Sequence, residues 1–279
     1  MTIKFFNDLH LKFSRKEYLN SDPIEFCYLF QNKLDIELVG FLSAMFSYGN
    51  VKSIKTYLSN LIQLLTPSPS EFLLKKDLQT IRNKLHYYRF QKSEDVYRLL
   101  VLLQSTLSER RSLEYFFGNK KISTPERIIH FQLYFMSKHR EIFKSEYSNG
   151  LKFLLGNGNL NSTNKRYHMF LRWMVRKDFP DFGLYTSFSP KDLFYPMDVH
   201  LGKISEILLG KKPKSAFKQS IAFTEYMRNY FPDDPVRMDF VFSRLGILKF
   251  CKLEYVDSIC KKCELKKNCS ILKNSLPSG

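Results

Sequence analysis

Two groups of residues in this chain have the types and spacing to do chemistry. Near the C-terminus, Cys251, Cys260, Cys263 and Cys269 form the pattern C-x8-C-x2-C-x5-C. Four thiolates in so short a run converge on a metal far more readily than they pair as disulfides in a reducing compartment. Structural zinc usually draws on two paired C-x2-C knuckles, and only one is present, so the spacing alone leaves zinc and an iron–sulfur cluster both open. Lys249, Lys252, Lys261, Lys262, Lys266 and Lys267 surround the thiols, either as a phosphate-contacting surface or as a solvated face. The fifth cysteine, Cys27, lies beside Phe26, Leu29 and Phe30 and reads as buried packing.

The second group centres on Lys165 and Asp198. Lys165 sits in GNGNLNSTNKRYHMFLRWMVR (156–176), where a Gly156-x-Gly158 loop leads towards a helix. Free backbone N–H groups at a helix N-terminus make a phosphate cradle. Tyr167, Phe170, Leu171 and Met174 form the apolar stripe of that helix. Lys165, His168, Arg172 and Arg176 recur at i, i+3, i+7 and i+11, so they are expected together on the opposite, basic face. Asp198 lies in YPMDVHLGKISEILLG (195–210) just before an apolar-periodic helix, in the position of an N-cap. A carboxylate that caps a helix is rigidly aimed, and here it is expected to face the Lys165 helix across a cleft. The plainer reading of Lys165 is a phosphate contact.

The elements that must position these residues are helical. Apolar residues recur at helical period over 35–48, 51–65, 93–106, 125–138 and 215–230, and Asp234-Pro235 reads as an N-cap and first turn for a helix running to Gly246. There is no strand alternation, so the fold class is all-α. The 279 residues carry a formal charge of +17, with 44% hydrophobic and 25% charged residues, as in a folded globular chain that attracts polyanions. Nucleic acid recovers such a field through counterion release. Lys4, Asp8 and Lys12 break the opening stretch, so no signal peptide is expected, and no uncharged apolar run reaches bilayer length. A cytoplasmic, nucleoid-associated monomer without membrane contact is the expectation.

A glycine-rich hairpin, a helix with a lysine, a loop and then Pro-x-Asp-x-His together resemble the helix-hairpin-helix DNA glycosylases, among them endonuclease III and the archaeal 8-oxoguanine glycosylases. YRF (88–90), KRYHMFLRWMVR (165–176), PMDVH (196–200) and DFVFSRLGI (239–247) are similar more closely to a bacterial family of unassigned function within that group. ELVGFLSAMFSYGN (37–50) looks like the helix and turn that feed DNA-penetrating residues. The resemblance covers most of residues 22–250. It implies Lys165 as nucleophile at C1′ of a damaged nucleotide and Asp198 as assisting carboxylate. Asn50, Gly156, Gly158, Arg166, His168 and Arg172 are then the expected DNA contacts. It also implies a [4Fe–4S] cluster on the four cysteines, since endonuclease III carries C-x6-C-x2-C-x5-C, with zinc as the alternative. The implied architecture is two-lobed: 34–196 with the hairpin and Lys165 helix, and 1–33 plus 197–279 with the cysteine loop. The implied function is excision of an oxidised purine from double-stranded DNA, with or without abasic-site lyase activity. A non-catalytic binder of damaged or unusually structured DNA is the alternative.

Overall fold

A computed structural model describes residues 1–248, 250–252, 254–263, 265, 266, 269 and 271. In chain order its helices are α1 (Ile3–Phe13), α2 (Lys33–Met45), α3 (Val51–Gln63), α4 (Pro69–Lys75), α5 (Gln79–Arg82), α6 (Ser93–Glu109), α7 (Thr124–Phe143), α8 (Asn149–Leu155), α9 (Lys165–Val175), α10 (Val199–Leu209), α11 (Ala216–Arg228), α12 (Asp239–Ile247) and α13 (Asp257–Cys260). The only strand-like pairing among the described residues is an isolated bridge between Tyr88 and Gln91, so the all-α expectation holds. No helix among them is long and apolar enough to cross a membrane.

The chain forms two compact units. One joins Met1–Ser21, Asn161–Phe182 and the described residues from Ser189 onward; the other is Asp22–Leu160 with Gly183–Phe188. These boundaries differ from the sequence-based division in one consequential way. The Lys165 helix belongs with the C-terminal helices and not with the Gly156–Gly158 segment.

In the second unit, α2 is buried on nearly every side: Ile36, Leu38, Val39, Leu42, Met45 and Phe46 all lie in the core. Its two buried acids serve as anchors. Asp35 accepts from Ser68 Oγ (2.9 Å) and Ser70 N (2.7 Å), fixing the start of α4. Glu37 accepts from Ser112 Oγ (2.7 Å) and Leu113 N (3.0 Å), and burial raises its pKa against those hydrogen bonds. Cys27 is fully buried in the short 3-10 segment Pro23–Leu29, as its neighbours imply.

In the first unit, α1 lays Phe6 against Tyr230, Phe231 and Phe242. A buried ion network then fixes α9. Arg172 reaches Asp181 Oδ1 (3.1 Å) and Asp239, while Arg176 bonds Asp234 (2.7 Å) and the other oxygen of Asp181. Asp234 is therefore spent on Arg176, and the helix expected from Asp234 begins only at Asp239, with no side-chain cap at Met238. Asp239, the first residue of α12, is a structural ion-pair member, paired with Arg172.

Removing one partner from a buried charge network strands the others without solvent. Asp181→Ala is therefore expected to destabilise the chain by about 3–5 kcal/mol, read as a lower urea midpoint. A loss below about 1 kcal/mol would mean that the network does not hold the fold.

Candidate active site and cysteine pocket

Asp198 caps α10: its Oδ1 accepts from Leu201 N at 2.8 Å. Its other oxygen, Oδ2, lies 3.3 Å from Lys165 Nζ. The two side chains remain 30% and 32% exposed, so the pair is solvent-reachable from its open side. Lys165 is the first residue of α9, following Asn164 in the left-handed conformation at φ 43°. The structure thus brings together the two residues singled out from sequence, 33 positions apart, and does so within one unit.

Two further elements hold Asp198 in place. Tyr195 N donates to Thr224 Oγ1 (3.1 Å) and Ser220 Oγ donates to Tyr195 O (2.6 Å), pinning the approach segment to α11. After Asp198, His200 packs over Gly246 of α12, where an added Cβ would lie 2.9 Å from the ring nitrogen Nδ1. Val199, next to the carboxylate, is 79% exposed, an unusual setting for a large apolar side chain that periodicity gave no reason to expect.

The remaining predicted DNA contacts fare unevenly. His168 and Arg172 are each only 2% exposed and cannot reach DNA. The expected basic face of α9 is an internal one: Arg172 and Arg176 point into the Asp181 network, and His168 packs near Phe194. Burial pushes the His168 pKa down to about 4. Arg166 is partly exposed at the start of α9. Gly156 and Gly158 adopt φ +82° and +78°, as a tight glycine turn requires, but their N–H groups are already used. Gly156 N donates to Lys152 O (3.0 Å) and Gly158 N to Gln132 Oε1 (3.0 Å). The two glycines lie nine and seven residues before α9 starts.

Asn50 is exposed and caps α3 through Oδ1, which accepts from Ser53 N at 2.8 Å. Near it lies a surface that sequence reasoning missed. Tyr48, Phe90 and Phe153 form a ring cluster with centroids 4.8–6.2 Å apart, Phe90 being 57% exposed and Tyr87 77%. Arg89, held at φ 52°, places its guanidinium 5.9 Å from the Tyr48 ring and 5.6 Å from Phe90. The only signal in the sequence was the YRF triplet itself.

The four cysteines line one pocket, together with Phe250 and Ile259. Burial raises the Cys263 thiol, and the proximity of Cys251, Cys269 and Cys260 raises it further. Cys251 N donates to Leu245 O at 2.8 Å, so the pocket hangs directly from α12. Among the described residues no three side chains of metal-ligating type are drawn together tightly enough to hold an ion. Lys252, Glu254 and Lys266 line the same pocket beside the four thiols. Of the surrounding lysines, Lys249 and Lys267 lie outside the described residues; Lys252, Lys261, Lys262 and Lys266 are exposed.

Residues 22–248 match a family described as protein of unknown function (DUF2400), and the chain belongs to that family. No curated protein matches it. No solved structure does either.

The buried imidazole makes a testable pH signature. Above about pH 6.5 His168 is neutral whether the chain is folded or not, and its contribution is complete. Between 6.5 and about 4 only the unfolded chain takes up the proton, so stability falls as pH falls. The loss should total about 3 kcal/mol and level off below that window. His168→Leu should flatten this part of the stability–pH curve; an unchanged slope would show that the ring is reached by water.

Proposed function

We propose that this protein is a DNA glycosylase with abasic-site lyase capacity, acting on an oxidised purine, in which Lys165 is the nucleophile and Asp198 the assisting carboxylate. The observation that carries this reading is the 3.3 Å approach of Lys165 Nζ to a carboxylate whose other oxygen is fixed as a helix cap, with both side chains solvent-reachable. A swung-out nucleotide presents C1′ to the amine. The ammonium sheds a proton to solvent, which reaches the partly exposed pair, so Asp198 remains a carboxylate. The nitrogen lone pair then forms the C1′–N bond as the C1′–base bond breaks, and that electron pair leaves on the base, which is protonated from solvent. The attached nitrogen then loses a second proton to solvent, and its freed lone pair forms the C=N bond as the C1′–O4′ bond opens; the departing pair takes up a proton at O4′, leaving the protonated imine. Throughout, the fixed carboxylate opposes the positive charge that grows on the sugar.

Three features support DNA as the partner. The chain carries +17, exposed aromatic rings flank Arg89 beside Asn50, and the sequence resembles the helix-hairpin-helix glycosylases. Stacking on such rings is worth about 1–3 kcal/mol per base. Cys251, Cys260, Cys263 and Cys269 would hold a [4Fe–4S] cluster, with zinc as the alternative occupant; either would tie the segment after α12 into one piece. The second reading, a non-catalytic binder of damaged or unusually structured DNA, is favoured by the same ion pair, because a lysine satisfied by a carboxylate is also a stable structural contact.

Borohydride trapping separates the two. The chain is expected to give a covalent adduct with abasic or 8-oxoguanine duplex, abolished in Lys165→Ala. Asp198→Asn keeps an equally good cap, so it should unfold like the parent yet lose about 10²–10³ in trapping rate. Tight binding with no product and no adduct on any lesion establishes the binder instead. For the cysteines, anaerobic purification should yield about four irons and four acid-labile sulfides per chain with broad visible absorption. A colourless protein with one zinc would assign the alternative.

A further inference from the structure

Between Glu206 and Glu225 the chain has no acidic residue and four lysines, Lys211, Lys212, Lys214 and Lys218. All four are exposed, and none forms an ion pair among the described residues, whereas Lys203 on the preceding helix pairs with Glu206 at 3.4 Å. They occupy the turn between α10 and α11 and the first turn of α11. The turn begins at Gly210, at φ +68°, where an added Cβ would meet nothing within 4 Å, so that position opens to solvent.

This exposed turn is anchored at its base. Gln219 of α11, 7% exposed, donates Nε2 to Gly202 O (2.7 Å) and to Ser205 Oγ (2.9 Å), clamping α10 and α11 together. The same α11 holds Tyr195 through Ser220 and Thr224, just before Asp198. The lysine turn and the candidate catalytic carboxylate are therefore opposite ends of one rigid piece. From Asp198 to Gly210 the helix rises about 18 Å, the length of roughly five base-pair steps of a duplex.

We infer that Lys211, Lys212, Lys214 and Lys218 form a phosphate-binding arm for duplex DNA, gripping the backbone about five base pairs from the nucleotide presented to Lys165. The choice of DNA as partner rests on the function proposed above. Point charges on flexible stems suit the arm, because it has to follow the backbone regardless of sequence. It thereby fixes register while leaving lesion recognition to the site.

The test is fluorescence anisotropy of an undamaged duplex with the full chain over a range of salt concentrations. The variant carries Lys211→Gln, Lys212→Gln, Lys214→Gln and Lys218→Gln. Its comparator, Lys76→Gln, Lys84→Gln, Lys120→Gln and Lys121→Gln, loses the same charge from exposed positions in the other unit. Each phosphate contact contributes about 0.9 to the slope of log affinity against log salt, so the arm variant should lose about 2–4 from that slope and the comparator less than about 1. Equal losses in both, or none in the arm variant, overturn the inference. So does an arm variant that loses only binding to an RNA hairpin of equal length. The borohydride assay on the parent chain keeps the two claims apart. Trapping with no arm effect refutes the arm alone, and an arm effect without trapping leaves the arm standing while the enzymatic reading fails.

Discussion

Lys165 can meet Asp198 only because α9 is held at a fixed rotation, and a buried ion network sets that rotation. Arg172 and Arg176 lie one turn apart on the inner side of α9, and Asp181 bridges them, one carboxylate oxygen to each. Asp239 from α12 and Asp234 from the turn before it complete the set. Taking so many charges out of water is costly, and well-packed apolar residues would serve stability as well or better. What charges add is direction. A guanidinium fork meets carboxylates in few geometries, so rotation of α9 would break several bonds at once.

That network also explains where the sequence was legible and where it was not. The amphipathic stripes of α3, α6, α7 and α11 were readable because each buries an apolar face, and α2 because apolar residues run through nearly all of it. Asp198 was readable as a cap because capping depends on neighbours three residues away. The face of α9 was misread, since a row of basic residues at helical spacing looks solvated unless its counter-charges are known. Those counter-charges stand nine residues on, at Asp181, and 67 on, at Asp239. The start of α12 was misread for the same reason, because Asp234 had a distant arginine as a better partner than a local helix end.

The glycine pair shows a related limit. Gly156 and Gly158 were read as a loop offering free amides to phosphate; they do adopt positive φ, but the Gly158 amide serves Gln132. Local sequence reveals what conformation a residue needs, whereas the use made of the exposed amides depends on what is packed against them. The cysteines lie between these cases. Their spacing announced a shared pocket, and the pocket's attachment to α12 through Cys251 and Leu245 was visible only in three dimensions.

The way the chain is divided has a consequence for its synthesis. The unit built around α2 comes almost entirely from one continuous stretch, so it can fold while the rest is still being made. The other is gathered from three stretches, and Phe6 of α1 has to wait for Phe231 and Phe242 before it is covered. At ordinary elongation rates that wait is about 10–50 seconds, during which the apolar face of α1, with Phe6, Leu9 and Phe13, is without its partner. Chaperone demand should therefore fall on the beginning of this chain, although its docking partner is close to the end.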